Sequence, residues 1–87
     1  MEIKNLKDED ESDVWFPHEV VKANVRGDTL VKAWREYLGL TQQELAKKAG
    51  MKQASIARIE AGKTTPSKTT LKKLADAMGI SVEQLLD

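Results

Sequence analysis

From Asp28 onward the chain is cut into short apolar stripes at near-regular intervals, and this punctuation limits the fold more than any other feature. Leu30, Ala33, Trp34, Tyr37 and Leu38 recur at helical spacing until Gly39 stops the run. Leu45, Ala46 and Ala49 repeat the pattern up to Gly50, and Ile56 and Ile59 lie one turn apart in a run from Gln53 to Ala61 that Gly62 ends. Leu71, Leu74, Ala75 and Met78 then form a stripe at i, i+3, i+4 and i+7, closed by Gly79. Start signals match these stops. Asp28 is the candidate N-cap of the first run, Thr41 with Glu44 forms a capping box, Ser67 opens the fourth run, and Ser81 with Gln84 repeats the box before Val82, Leu85 and Leu86. The expectation is an all-α fold of five short helices with no sheet, and Trp34 is expected in its core.

With 87 residues the chain has room for one small domain, assigned to residues 28–87, and little surface for a deep catalytic cleft. Residues 1–27 are expected to form an acidic arm, extended or flexible and in part disordered. Six of the seven positions from Lys7 to Asp13 are charged, the composition of a mobile tail. The next segment differs in kind. Val14, Trp15 and Phe16 are apolar in a row, Pro17 is expected to break any helix, and Val20, Val21 and Val25 follow. It is expected either to lie extended on the domain or to order on a partner.

The formal net charge of zero hides an asymmetry. Residues 1–19 hold seven acids against two lysines, net −5, whereas residues 20–87 hold seven acids against twelve Lys and Arg, net +5. The absence of cysteine excludes disulfides, thiol catalysis and thiolate metal sites, and one histidine cannot build a His-rich metal site. That residue, His18, has no nucleophile or acid partner in recognisable array. No glycine-rich phosphate loop occurs either, so neither an enzyme nor a cofactor is expected. The N-terminus is acidic where a signal peptide is basic, and no apolar run approaches the roughly 18 residues of a membrane span. A cytoplasmic protein without a membrane partner is expected.

The runs at 41–49 and 53–61 are joined by only Gly50, Met51 and Lys52, with small residues, Ala46 and Gly50, where two helices must cross closely. A short glycine-containing turn of this kind is the geometry of a helix-turn-helix, placed at about 41–61, whose second helix enters the major groove. If Ile56 and Ile59 face the core, Gln53, Ala54, Ala57 and Arg58 point outward. Glutamine can bond adenine bidentately, arginine can bond guanine, and alanine can meet the thymine methyl. Between Thr41 and Lys73 eight basic residues (Lys47, Lys48, Lys52, Arg58, Lys63, Lys68, Lys72 and Lys73) stand against Glu44 and Glu60, net +6. Any single lysine is as well explained as solvated surface. The cluster beside a helix-turn-helix reads as an electrostatic footprint for phosphate.

The strings LTQQELAKKAGMKQASIARIEAGKTTPS and LKKLADAMGISVEQLL, within the stretch from Trp34 to Leu86, resemble the phage-repressor and Cro-like (XRE-type) helix-turn-helix family. The resemblance implies a lambda-repressor-like DNA-binding domain. It further implies that Gln42 bonds a phosphate, that Gln53, Ala54 and Arg58 face bases, and that Ser55, Lys63 and Thr64 sit near the DNA backbone, with Lys52 a further candidate. Arg35 and Glu60 resemble a structural ion pair of that family. The implied partner is double-stranded DNA carrying a pseudo-palindromic operator read by a homodimer, in a bacterial cytoplasm and on the nucleoid when bound. Ile80, Val82, Leu85 and Leu86 are the candidate dimer interface, with core closure as the alternative.

The segment VWFPHEVV, followed by Gly-Asp and a Trp-Arg helix, resembles the HigA-like antitoxins. That resemblance implies an autoregulating repressor that also neutralises a small basic RelE/HigB-type ribonuclease toxin, with Val14, Trp15 and Phe16 as candidate contacts. The alternatives are a stand-alone phage-type regulator without a toxin partner, and a protein-interaction adaptor that keeps the fold without DNA; the basic cluster counts against the adaptor.

Overall fold

The computed structural model describes residues 14–86. The segment expected to be a mobile tail, residues 1–13, lies outside them. Among the described residues there are five α-helices, α1 (His18–Val25), α2 (Leu30–Tyr37), α3 (Gln42–Ala49), α4 (Gln53–Glu60) and α5 (Lys68–Met78), then a 3₁₀ helix (Val82–Leu85) and no strand. The all-α expectation holds. No helix among the described residues is long and apolar enough to cross a membrane.

Local chemistry sets most of these boundaries. Thr41 Oγ1 accepts from the Glu44 amide at 3.0 Å while the Glu44 carboxylate accepts from the Thr41 amide at 2.8 Å, so the box at the head of α3 is closed both ways. Ser67 caps α5 through the Thr70 amide at 3.2 Å. At the head of α2 the expectation fails by one residue. Thr29, not Asp28, is the N-cap and accepts from the Lys32 amide at 3.3 Å. Asp28 instead lies 3.3 Å from Arg26 and 3.6 Å from Lys32. The last element keeps its Ser81–Gln84 contact, 2.9 Å from the Ser81 amide to Gln84 Oε1, but is a single 3₁₀ turn.

The helix α1 departs from the extended arm expected there. Pro17 does not break a helix but starts one: its φ of −61° suits the entry, and its carbonyl accepts from Val20 and Val21 at 3.0 and 3.1 Å. The amide that proline lacks would have had no helical partner at this position, so nothing is lost. α1 packs against α2, and its Val20 and Ala23 are buried with Leu30, Val31, Ala33 and Trp34 of α2. Leu45, Ile56 and Leu74 supply one fully buried anchor each from α3, α4 and α5. Trp34 is at the centre of an aromatic cluster, 6.2 Å from Trp15, 6.3 Å from Phe16 and 5.8 Å edge-on from Tyr37 between ring centroids.

A polar strap closes the edge where the two ends of the described chain meet. The Trp34 indole Nε1 donates to the Gln84 carbonyl at 2.8 Å, and Gln84 Nε2 donates to the Trp15 carbonyl at 2.8 Å.

Candidate nucleic-acid interface

Helices α3 and α4 are set by the turn between them. Gly50 takes the left-handed conformation (φ 67°, ψ 36°), and the Met51 amide reaches back to the Ala46 carbonyl at 2.8 Å. A residue with a Cβ would be strained there. Ala46 is buried, and Ile56 and Ile59 turn inward, fully and almost fully buried. The opposite face of α4 is therefore left to solvent. Gln53, Ala54 and Arg58 are exposed, while Ser55 and Ala57 are half-buried. No side chain caps α4 at Lys52; the Ser55 amide turns back to the Lys52 carbonyl at 3.0 Å, and the Gln53 and Ala54 amides ahead of it have no side-chain cap.

Beyond α4, Lys63 and Thr64 are exposed in the loop to α5. Ser55, Arg58 and Thr64 come together along one shallow groove of about 240 Å³, with Met51, Pro66 and Thr70. All eight basic side chains from Lys47 to Lys73 are exposed. Lys72 is partly engaged, 3.3 Å from Asp76 one turn along α5, an exposed pair of the kind that contributes little to stability.

Beneath this surface lies a buried ion pair. The Glu60 carboxylate, 3% exposed, accepts from Arg35 Nε at 2.6 Å and from Arg35 Nη2 at 3.0 Å. This fork-to-carboxylate hydrogen bond, ahead of the Coulomb attraction, raises the Arg35 pKa above its ordinary value, so the guanidinium stays charged at any working pH. Arg35 Nη1 also donates to the Leu40 carbonyl at 2.7 Å, fixing the α2–α3 loop. Gln42, half-buried as the first residue of α3, donates from Nε2 to Glu60 Oε1 at 3.0 Å. The sequence offered no signal for the Gln42 and Leu40 contacts, which join residues by direction and not by pattern.

The other candidate residues divide. Trp15 is 65% exposed, whereas Phe16 packs on the core and Val14 is half-buried. Of the candidate dimer residues, Leu85 is fully committed to the core, Ile80 and Val82 pack against it half-buried, and only Leu86 is widely exposed. Leu85 is thus corrected from interface to core: the 3₁₀ turn points it inward, where it is buried with the other core residues. Exposed apolar area instead appears on α1, where Val25 is 81% exposed and Val21 lines a groove with Phe16, Leu30 and Leu86.

A helix-turn-helix family model matches residues 31–85. An uncharacterized HTH-type transcriptional regulator of Haemophilus influenzae is 38% identical over 72 residues, covering 79% of this chain and 72% of the relative. The immunity repressor protein of Bacillus phage phi105 is 39% identical over 56 residues, 64% of this chain and 39% of the repressor. The HTH-type transcriptional repressor RghR of Bacillus subtilis is 44% identical over 57 residues, 64% of this chain and 42% of the relative. No solved structure matches. The family match spans α2 to the 3₁₀ helix, so it takes in the α3–α4 turn and the helix whose outer face carries Gln53, Ala54 and Arg58. By that match the chain belongs to the helix-turn-helix family, in which the relatives it resembles are transcriptional regulators and repressors.

Proposed function

We propose that this protein is a sequence-specific DNA-binding repressor of transcription that lays α4 in the major groove. One observation carries the reading: α4 buries Ile56 and Ile59 and turns Gln53, Ala54 and Arg58, a set able to bond base edges, to solvent. Around it, Lys52, Ser55, Lys63 and Thr64 supply charge and hydroxyls for the DNA backbone, and Gln42 sits at the head of α3. A two-fold pair of such helices about 34 Å apart would match a pseudo-palindromic operator. The test is selection of a duplex from random DNA, followed by titration of that duplex and of single-base variants at several salt concentrations. Specific binding with an affinity that falls steeply as salt rises supports the reading; no selected sequence refutes it.

A second role rests on the arm. Trp15 presents most of its ring to solvent although its backbone is fastened by Gln84, and a strongly acidic run precedes it in the sequence. A fixed aromatic that follows an acidic run in the sequence suits a small basic protein, in keeping with the resemblance to HigA-like antitoxins and a RelE/HigB-type toxin in the same cytoplasm. Phe16 and Val14 serve this role less directly, since Phe16 packs on the core and Val14 is half-buried. Coexpression with the product of the neighbouring gene tests it: a stable complex with a small basic protein, lost on deletion of residues 1–18, supports neutralisation. A regulator that purifies alone and binds DNA fully would be the stand-alone kind.

A further inference from the structure

Gln42 is held by a partner that dictates which way its amide faces. An ionised carboxylate can only accept, so the group turned toward Glu60 must be Nε2, as the 3.0 Å contact requires. That leaves the Gln42 side chain with one uncommitted N–H and a carbonyl oxygen, and this N–H is the donor it can add to the backbone amides at the start of α3. The same carboxylate is forked by Arg35 from α2 and is itself the last residue of α4. One buried group therefore ties the end of α4 to α2 and to the first residue of α3. Arg35 also cancels the charge that would otherwise repel a phosphate approaching α3.

We propose that Glu60 is a positioning residue for operator binding: its carboxylate holds the Gln42 amide so that the remaining Nε2–H meets one DNA phosphate at the head of α3. The inference rests on the DNA-binding reading above and adds that Gln42 acts through Glu60. Because Glu60 is the last residue of α4 and also holds the Gln42 amide, the phosphate contact is registered to the base-reading helix. A lysine at the same place would bind phosphate without that registration.

The test compares Gln42→Ala in the full chain with Gln42→Ala in a chain also carrying Arg35→Leu and Glu60→Leu. The paired leucines remove the ion pair without stranding a charge, an exchange that cores often accept. Titrations use the selected duplex and a set of duplexes each carrying one neutral methylphosphonate. In the wild-type background, Gln42→Ala is expected to weaken binding about tenfold, as for a hydrogen bond to a charged group, and to erase sensitivity to one methylphosphonate. In the leucine background that sensitivity is already gone, and Gln42→Ala changes affinity by less than about twofold. An equal loss in both backgrounds, or none in the wild type, overturns the proposal. A readout independent of that double variant is the side-chain amide of Gln42 in the free wild-type protein: one Nε2 proton exchanging more slowly than the other supports the Glu60 contact, and two that exchange alike overturn it. A folded wild-type chain that binds no duplex overturns the DNA reading and the positioning role together, even where the amide protons behave as expected.

Discussion

The α3–α4 unit and the edge formed by Trp15, α1 and the 3₁₀ helix are built by opposite means. The first is local: its cap, its turn and its two buried isoleucines all lie within a stretch of twenty residues, and its long-range tie is the Glu60 clamp. The second depends on partners far apart in the chain, Gln84 with Trp15 and Gln84 with Trp34. The first leaves polar and basic groups in solvent, the second leaves Trp15, Val25 and Leu86. A small domain can thus hold two surfaces of different chemistry by fixing one through local geometry and the other through the Gln84 strap together with the packing of α1 and Phe16 on the core.

Trp34 serves both regions, so its loss is the most severe way to break the contrast. Trp34→Ala is expected to cost about 3–5 kcal/mol, since it opens a large cavity and frees the Gln84 carbonyl. Urea unfolding measures it, and a loss under ~1 kcal/mol would mean that the two regions do not share one core. Glu60→Ala comes next. It strands Arg35, whose side chain is only 11% exposed, and is expected to cost about 3 kcal/mol, whereas Arg35→Leu with Glu60→Leu recovers most of that. Recovery that fails would show that the clamp contributes through its charge and not through the penalty of leaving a charge unpaired.

The remaining predictions separate the regions. Gly50→Ala should cost about 1–2 kcal/mol through its left-handed backbone and weaken DNA binding, because it shifts α4 against α3. Gln84→Ala should cost about 1–2 kcal/mol by removing the side-chain bonds to Trp15 and to the Ser81 amide. It should raise acrylamide quenching of tryptophan fluorescence and leave operator affinity intact. A Gln84 variant that lost DNA binding would erase the division between the two surfaces.

What the sequence made legible follows the same division. Capping boxes at Thr41 and Ser81, the Gly50 stop and the isoleucine spacing encode local geometry, and the helices expected from them are present within one or two residues. The N-cap of α2 was misplaced by one because Asp28 and Thr29 are both good caps, and Asp28 was drawn to Arg26 and Lys32 instead. α1 was missed because Pro17 reads as a breaker unless its place at the helix start is known, and because Val20 and Ala23 gain a core only once α2 is folded. Leu85 could not be divided from Leu86 by type, only by the direction of a single turn. For the site, the outward set on α4 was readable from the isoleucines, whereas the hold of Glu60 on Gln42 depends on where side chains from two helices converge.

The central claim is that α4 reads bases, and the most direct measurement is the affinity of wild type, Arg58→Ala and Lys63→Ala for the selected duplex and its single-base variants. Arg58→Ala is expected to lose about 1–3 kcal/mol on the selected sequence and to level the preference at one base pair. Lys63→Ala should weaken all duplexes alike and shallow the salt dependence. Equal losses for both variants on every sequence would contradict the account, because the exposed face of α4 would then be no more than another basic surface.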